Sequence, residues 1–181
     1  FASGGKLLVC GNGGSAADAL HIVGELMKSF TLPRPIDAEA ARLLSERFGQ
    51  EGERLAASLE GALPAVALVE NAALSTALQN DVSGGISFAQ QVYGLGRPGD
   101  VLLCISTSGN AANAVAAAMV AHARGMRVAL LSGGTGGKLR PLCDVSVVVG
   151  VSETFMVQEL HLPVYHALCL MLEYAFFPPA Q

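Results

Sequence analysis

Charge is scarce in this sequence, and its scarcity disfavours several classes of protein. Charged residues make up only 14% of the 181 residues, hydrophobic residues make up 51%, and the net charge is −4. Lysine and arginine form no run, which argues against a nucleic-acid-binding surface. No uncharged apolar run reaches the roughly 18 residues of a membrane-spanning helix. Because a surface so poor in charge favours burial against other subunits, we expect a homo-oligomer.

Cysteine is also sparse, and its spacing argues against two further kinds of site. The four cysteines lack the CxxC pattern of zinc knuckles and of thioredoxin-type redox centres. Each lies among apolar neighbours, which favours buried, reduced thiols over disulfides and a cytoplasmic location. The cysteines are Cys10, Cys104, Cys143 and Cys169.

Short apolar segments alternate with helical patterns along most of the chain. The apolar segments are rich in valine and leucine throughout, which is typical of a parallel sheet covered on both faces. We predict an α/β fold: a doubly wound three-layer sandwich with about five parallel strands, in one domain over residues 1–181. Because the chain opens with Phe1 directly before the first strand, we expect an N-terminal element to be missing. Strands are predicted at residues 6–10, 64–69, 100–106, 127–132 and 145–151, and helices at 16–29, 72–80, 88–95, 110–124 and 153–177.

Residues 31–61 interrupt this alternation of strands and helices. Pro33 and Pro35 open the segment, Asp37 is a predicted helix cap, and two glycines separate two amphipathic helical patterns. We predict a helical hairpin inserted between the first helix and the second strand. Two roles are open for it: a packing lid, or a segment that contacts a substrate.

The segment Leu7–Glu25 combines a strand, a turn of small residues and the start of a helix. The turn GNGGS at 11–15 exposes backbone amides at a helix N-terminus, where an anion such as phosphate can bind. Further along that helix, His21 and Glu25 are four residues apart, so their side chains share one face. The pair predicts acid/base chemistry or metal binding beside the anion, although a core histidine and a solvated glutamate would give the same pattern.

A second strand–loop–helix segment, ISTSGN, repeats this design with hydroxyl groups. Ser106, Thr107 and Ser108 follow an apolar strand, Gly109 permits close backbone approach, and Asn110 begins the next helix. Three hydroxyls and helix amides at the carboxyl end of a strand suit a phosphate monoester. No GK[ST] follows, so a Walker loop and nucleotide hydrolysis are disfavoured. One such loop is most simply a capped turn, whereas two in one chain favour ligand binding.

The last helical pattern carries polar side chains within a strongly apolar segment. Gln158, His161 and His166 are costly to bury unless they are paired, so they indicate ligands, acid/base groups or a polar network. Gln158 and His166 are about 12 Å apart along an ideal helix, so they converge on one point only from its two ends or with the help of another subunit. Pro163 removes one helical hydrogen bond between them.

With these motifs together, the sequence resembles the sugar isomerase (SIS) domain family and, within it, the phosphoheptose isomerases. The first and last matching segments are the most specific, because they carry the His21/Glu25 and Gln158/His166 pairs. The matching segments, in the order of the family, are GNGGSAADALHIVGE at 11–25, ALSTALQND at 73–81, GRPGDVLLCISTSGN at 96–110, GGKL at 136–139 and VQELHLPVYH at 157–166.

The resemblance implies the SIS fold and a ketose–aldose isomerase that converts sedoheptulose 7-phosphate to D-glycero-D-manno-heptose 7-phosphate. It also implies a homotetramer with active sites at subunit interfaces. The zinc ligands that it implies are His21, Glu25, Gln158 and His166. The phosphate and sugar contacts that it implies are Asn12, Gly13, Ser15, Asp81, Ser106, Thr107, Ser108 and Asn110.

The chemistry of the implied reaction gives two of these residues a catalytic role. Aldose–ketose isomerisation moves a proton between C1 and C2 through an enediol, so it needs a base beside the carbons and an acid beside the oxygens. We expect Glu25 to be the base and His166 the acid. A cation near the two oxygens would stabilise the developing enediolate.

Two other functions are compatible with the family. A non-catalytic SIS protein binds a phosphosugar or a protein partner, as do those that associate with the replication initiator, but such proteins typically lack the Glu25 and His166 equivalents. A different SIS enzyme acts on another sugar phosphate. The long segment at 31–61 leaves the substrate less defined than the reaction, as do Phe155 and Met156, which stand where the family typically has polar and basic residues.

Overall fold

Parallel strands form the central sheet of the computed structural model, which describes residues 1–82 and 84–179. In the described residues the strands are β1 (Leu7–Gly11), β2 (Ala65–Ala67), β3 (Val101–Ser106), β4 (Arg127–Gly133) and β5 (Val145–Val149). The α-helices are α1 (Gly14–Met27), α2 (Ala38–Ser58), α3 (Ala72–Asp81), α4 (Ser87–Leu95), α5 (Ala112–Ala123) and α6 (Thr154–Phe176). The strand order is β2-β1-β3-β4-β5, so the predicted doubly wound α/β fold is confirmed.

The predicted elements differ from the structure at one strand, at one helix start and at two short 3₁₀ helices. The strand predicted at 64–69 is only three residues long, because just Ala65–Ala67 pairs with β1. The helix predicted from residue 110 begins at Ala112, because the residues before it form a turn. Short 3₁₀ helices at Gly84–Ile86 and Arg140–Leu142 were not predicted.

Alternate residues of the central strands point into two separate hydrophobic cores. Leu7 and Val9 of β1 face a core shared with α1 and α6. Leu8 and Cys10 face a second core shared with α4 and α5. Because both faces of the sheet are covered, the strand sequences are apolar throughout. The two helical layers and the sheet between them are the predicted three layers.

The chain reverses its direction across the sheet between β1 and β3. α1 connects β1 to β2 on one side, whereas α5 connects β3 to β4 on the other. The paired ladder of β1 and β3 runs from Leu7 and Val101 to Gly11 and Ile105. The loops that follow these strands therefore diverge at the carboxyl edge of the sheet and leave a crevice between them.

The glycine-rich loop after β4 holds the loop after β3 in place. Gly109 has a φ of 67°, and a Cβ atom at this residue would overlap the carbonyl group of Gly136. The Leu139 amide donates to the Gly109 carbonyl at 3.0 Å, and the Lys138 amide donates to Asn110 Oδ1 at 3.1 Å. A glycine at 109 satisfies both the positive φ and the close backbone approach.

A helical hairpin occupies the insertion between α1 and β2. α2 breaks at Gly49, where φ is 55°, and the backbone of Gly52 packs against the Leu44 carbonyl. The two ends of the segment meet where Pro35 and Glu60 form an antiparallel bridge. Because its root follows the end of α1, the hairpin leaves the body of the protein at the opposite end of α1 from the β1–α1 turn.

A buried ion pair fixes the root of this hairpin to the helical layer. Arg34 and Glu173 are both fully buried, and Arg34 Nε lies 2.8 Å from Glu173 Oε1. Arg34 also donates to two carbonyls in the last turn of α1, at 2.9 and 3.0 Å. Glu173, near the end of α6, accepts from two backbone amides that follow α1, each at 2.8 Å. The pair thus joins α1, α6 and the hairpin.

The charge of Glu173 is maintained by its hydrogen bonds. Burial opposes ionisation and is the largest single effect, but the donors from Phe30, Thr31 and Arg34 together outweigh it and lower the pKa of Glu173 to about 2. The ordinary value is 4.5, so the folded pKa is the lower of the two. The stabilisation is therefore complete above pH 4.5 and is lost as the pH falls towards 2.

One described helix, α6, is long and apolar enough to cross a membrane by length and composition. A single helix of this kind is weak evidence for membrane insertion. α6 packs against α1, β4 and β5, and its Glu173 holds Arg34. The helix is therefore explained as a layer of the sandwich.

Replacing Glu173 with glutamine should destabilise the fold by roughly 3–5 kcal/mol, because it leaves the Arg34 charge buried and unpaired. Urea unfolding at pH 7 measures the difference from the wild type. The difference should shrink as the pH falls from 4.5 towards 2. Glu51→Gln, which removes an exposed ion pair with Arg54, should change stability little at either pH. Equal effects of the two substitutions would contradict the role of the buried pair.

Gly109→Ala should disrupt the loop after β3, because an added Cβ overlaps the Gly136 backbone and the positive φ is strained for alanine. Thermal unfolding should show a clear loss of stability. Gly94→Ala is the matched control, since a Cβ at this helical position meets no atom within 4 Å. Alanine there should be neutral or stabilising by up to about 1 kcal/mol. The packing described for Gly109 is wrong if both variants unfold at the wild-type temperature.

Candidate active site

The loops after β1 and β3 line one cleft at the carboxyl edge of the sheet. The cleft has a volume of about 500 Å³. Seven of the eight predicted phosphate and sugar contacts lie in its lining, so both loops face the same space as the sequence predicts. The lining residues are Asn12, Gly13, Gly14, Ser15, Ile105, Ser106, Thr107, Ser108, Asn110, Ala111, Thr154 and Gln158.

Three helix N-termini meet at this cleft. Gly14 is the first residue of α1, Ala111 precedes α5, and Thr154 is the first residue of α6. Each N-terminus presents unsatisfied amide groups and the positive end of a helix dipole. The described residues that line the cleft include no lysine or arginine, so these amides and the hydroxyl groups supply its attraction for an anion.

The eighth predicted contact, Asp81, lies at the end of α3 and outside the lining of the cleft. Its Oδ1 accepts a hydrogen bond from Asn80 at 2.7 Å, and the residue is exposed. Asp81 as a sugar contact stays a prediction, because the structure does not bring it to the other predicted contacts.

Two predicted contacts use their side chains to hold the loops themselves. Asn110 accepts from the Lys138 amide through Oδ1 and donates to the Ser108 carbonyl at 3.0 Å through Nδ2. Asn12 exchanges two amide hydrogen bonds of 2.9 Å with Asn113. These side chains position the backbone of the cleft, whatever contact they also make with a ligand.

A row of polar side chains runs down the contact between α1 and α6. Both helices begin at the cleft, and their polar residues face each other across an otherwise apolar layer. We call this row the polar seam. Its members, from the cleft downwards, are Gln158, Asp18, His161, Tyr165, His21, His166 and Glu25.

The lower end of the polar seam holds both predicted catalytic residues. His21 Nε2 lies 3.2 Å from Glu25 Oε1, and the His21 and His166 rings meet edge to face with centroids 5.1 Å apart. Glu25 Oε2 and His166 Nε2 are buried and have no hydrogen-bond partner within residues 1–82 and 84–179. Lys28 Nζ lies 3.6 Å from Glu25 Oε2, an ion-pair distance without a hydrogen bond. The two orphaned atoms are therefore free to act on a ligand.

Tyr165 orients His21. Its hydroxyl lies 3.0 Å from His21 Nδ1 and close to the Asp18 carboxyl. Burial, together with Asp18, raises the pKa of Tyr165 to about 12, so the phenol keeps its single proton at neutral pH. If this hydroxyl donates to Asp18, it would accept from His21 Nδ1–H, and the lone pair of Nε2 would then face Glu25. Two acceptors that face each other at 3.2 Å suit a proton or a cation between them.

The predicted zinc ligands are only partly brought together. His21, Glu25 and His166 share the lower seam, and their free donor atoms fit a divalent cation chemically. Gln158 lies higher, against Gly14 in the lining of the cleft. Within the described parts of the chain, no three His, Cys, Asp or Glu side chains are close enough as placed to hold an ion. The zinc site therefore stays a prediction.

Several residues of the site were missed by sequence reasoning. Asp18 and Tyr165 belong to the polar seam, Thr154 lines the cleft, and Asn113 holds Asn12. Asp18 was detectable in principle, because it lies three residues before His21 on the same helical face. Asn113 carries no such signal, since its partner is 101 residues away in the sequence.

Burial shifts the ionisation of the upper seam. The His161 side chain is fully buried, and burial lowers the pKa of its ring. Burial also raises the pKa of the Asp18 carboxyl, although the nearby His161 and Tyr165 oppose the shift. Both groups are thus displaced towards their neutral forms, which reduces the cost of placing them between two helices.

Known proteins are similar to this chain over nearly its whole length. Residues 41–133 match the SIS domain family model. The phosphoheptose isomerase of Thiobacillus denitrificans is 41% identical over 172 residues, which are 93% of this chain and 74% of the relative. The solved phosphoheptose isomerase of Neisseria gonorrhoeae superposes with a TM-score of 0.74 at 36% identity, over 95% of this chain and 78% of the other. That of Francisella tularensis gives 0.74 at 33% identity, over 93% and 76%.

The aligned regions leave out little of the chain. The structural match is to the same group of proteins, and the matched domain model is that of the SIS family. The chain therefore belongs to the phosphoheptose isomerase family of SIS-domain proteins.

Proposed function

We propose that this protein interconverts sedoheptulose 7-phosphate and D-glycero-D-manno-heptose 7-phosphate. The observation that carries the proposal is the polar seam, which leads from an anion-binding cleft to a buried carboxylate and imidazole with free atoms. A phosphate group in the cleft would place the sugar chain along the seam. Membership of the phosphoheptose isomerase family supports the same substrate.

The length of the seam supports a long sugar. Ser15 lines the cleft, and Glu25 follows it by ten residues on α1, which is about 15 Å along the helix axis. The Glu25 side chain leans back towards the helix N-terminus, which shortens this separation. A phosphate on C7 and reacting carbons at C1 and C2 are the two ends of an extended heptose, whereas a triose or tetrose phosphate would be too short.

The residues of the lower seam can perform the proton transfers. The Glu25 carboxylate takes a proton from C1 of the ketose, while His166 donates a proton to the oxygen on C2, giving an enediol. Glu25 then returns its proton to C2, and His166 takes a proton from the oxygen on C1, giving the aldose. Neither residue is changed over the cycle. Tyr165 would keep His21 in one tautomer beside Glu25. The centroids of the Phe30 and His166 rings are 5.6 Å apart, so the Phe30 ring limits the access of water to His166.

A zinc ion held by His21, Glu25, Gln158 and His166 is part of the proposal. When bound, a divalent cation would stabilise negative charge on the two sugar oxygens. The free Glu25 and His166 atoms and the lone pair of His21 support a cation at the lower seam. Gln158 lies nearer the cleft than the other three residues. It would therefore join the same ion only with the help of a bound ligand or a second subunit.

A homotetramer in the cytoplasm completes the proposed function. The outer face of α6 exposes large apolar side chains, including Phe155 at 60% and Met171 at 71%, and α1 adds Met27 at 46%. Exposed apolar side chains in such number favour a subunit interface. A tetramer that uses this face would enclose the seam beneath it. The free Cys10, Cys104, Cys143 and Cys169 suit a reducing compartment.

Glu25→Gln tests the base. The amide is isosteric with the carboxylate but accepts no proton, so kcat for sedoheptulose 7-phosphate should fall by about 100-fold or more. Product analysis by NMR gives the rate, and thermal unfolding checks that the fold is kept. Glu46→Gln, on the exposed hairpin, should keep full turnover. Full turnover by Glu25→Gln would show that another group is the base.

The same assay separates the proposed isomerase from the alternatives. Stabilisation of the wild type by sedoheptulose 7-phosphate without turnover would indicate a non-catalytic phosphosugar-binding protein. Turnover of a pentose or aminosugar phosphate, and not of the heptose, would indicate another SIS enzyme.

Metal analysis tests the zinc site without reference to activity. After loading with zinc and dialysis, the wild type should retain about one zinc per site, and zinc should raise its unfolding temperature. His21→Ala should lose most of the metal, because His21 and Glu25 are the two adjacent ligands on α1 and the substitution removes one of them. His122→Ala is the control, since His122 is exposed and bonds to the Leu142 carbonyl far from the seam. Equal retention by both variants, or none by the wild type, would rule out this site.

A further inference from the structure

Two asparagines form a reciprocal amide pair that joins the two loops of the cleft. Asn12 Nδ2 donates to Asn113 Oδ1, and Asn113 Nδ2 donates to Asn12 Oδ1, each at 2.9 Å. Asn12 lies in the turn before α1, and Asn113 lies in the first turn of α5. Each amide thus donates and accepts once, which fixes the two side chains relative to each other in distance and orientation.

The pair stands where the backbone ladder ends. β1 and β3 are paired up to Gly11 and Ile105, and beyond this point the two loops turn to opposite sides of the sheet. Asn12 is the first residue past the ladder. The amide pair therefore continues the connection between the two chains across the crevice, at the place where backbone pairing can no longer provide it.

Both members of the pair are also tied to the helix N-termini that face the cleft. The Asn12 carbonyl accepts from the Ser15 amide at 3.1 Å, and Asn113 Oδ1 accepts from the Ala114 amide at 3.0 Å. The pair thus links the N-terminal turns of α1 and α5. The amide groups of these two N-termini face the cleft, where they would donate to a bound anion.

We propose that the Asn12–Asn113 pair is a clasp that sets the spacing of the two halves of the phosphate cleft, and that Asn113 is a positioning residue for phosphosugar binding. Asn113 acts through Asn12, since Asn12 lines the cleft and Asn113 does not. The proposal rests on the proposed function only in its choice of sugar phosphate. Binding of inorganic phosphate tests the clasp on its own.

The clasp predicts a loss of affinity without a loss of catalytic rate. Asn113→Ala removes both hydrogen bonds to Asn12, together with the one from the Ala114 amide, so KM for sedoheptulose 7-phosphate should rise about tenfold. Because the phosphate end binds equally in the ground and transition states, kcat should stay within about twofold of the wild type. The dissociation constant for inorganic phosphate, measured by calorimetry, should rise by the same factor as KM.

A double-mutant cycle separates the clasp from a general structural effect. In an Asn12→Ala background, Asn113→Ala should weaken phosphate binding no further, because its partner is already absent. Asn113→Ser keeps a short acceptor for the Ala114 amide, but its side chain cannot reach Asn12. It should therefore bind phosphate as weakly as Asn113→Ala. This comparison holds even if the alanine variant is less stable, because serine retains the helix-terminal hydrogen bond. Asp37→Ala removes a comparable helix cap in the hairpin and should leave phosphate affinity unchanged.

Three outcomes would overturn the clasp. Additive losses in the double variant would mean that Asn113 does not act through Asn12. An unchanged phosphate affinity in Asn113→Ser would mean that the pair does not set the cleft. A fall in kcat at constant KM would place Asn113 in the chemical step. If the wild type binds phosphate but turns over no heptose phosphate, the proposed function fails while the calorimetric cycle still decides on the clasp.

Discussion

The reversal of strand order between β1 and β3 is the constraint on which the rest of the site depends. It places two neighbouring strand ends side by side and sends their loops to opposite faces of the sheet. Two separate stretches of sequence thereby contribute to one cleft, which neither forms alone. The third wall, from the start of α6, arrives only because the chain returns across the sheet after β5. The cleft is thus a consequence of topology, and the side chains refine it.

The polar seam has a different physical origin. α1 and α6 lie side by side in one layer and both begin at the cleft, so residues spaced along each helix face one another in order. An apolar layer is an expensive place for histidine and aspartate, and the structure reduces that cost by neutralising shifts and by hydrogen bonding to Tyr165. Buried atoms without a hydrogen-bond partner among the described residues lie on Asp18 and His161 as well as on Glu25 and His166. Those of Glu25 and His166 lie beside His21, where a substrate or a metal would use them.

Sequence reasoning predicted the parts of this structure that depend on local pattern. The strands, the three layers, the two cleft loops and the His21/Glu25 face follow from periodicity and turn chemistry, which are properties of neighbouring residues. It did not predict the pairing of Asn12 with Asn113 or the bond from Tyr165 to His21, because each joins positions more than a hundred residues apart. Asp81 stays a prediction: its motif matches, but the residue lies at the end of α3, outside the lining of the cleft. For Gln158, helix geometry fixes the distance to His166, but it does not specify which ligand or subunit would connect the two side chains.

The closed root of the hairpin has a consequence for how the protein folds. Pro35 and Glu60 form a bridge that closes the insertion at its root. The chain therefore passes from α1 to β2 as if the connection were short, and the length of the insertion adds little to the entropic cost of loop closure. The two halves of α2, on either side of Gly49, contact mainly each other and expose much of their surface. They therefore form a cooperative unit whose opening free energy is lower than that of the main body. Arg34, by contrast, belongs to the stability of the main body, because its partners are in α1 and α6. Hydrogen exchange would therefore divide the insertion at its root, with fast-exchanging amides in the two halves of α2 and slow ones beside the buried ion pair.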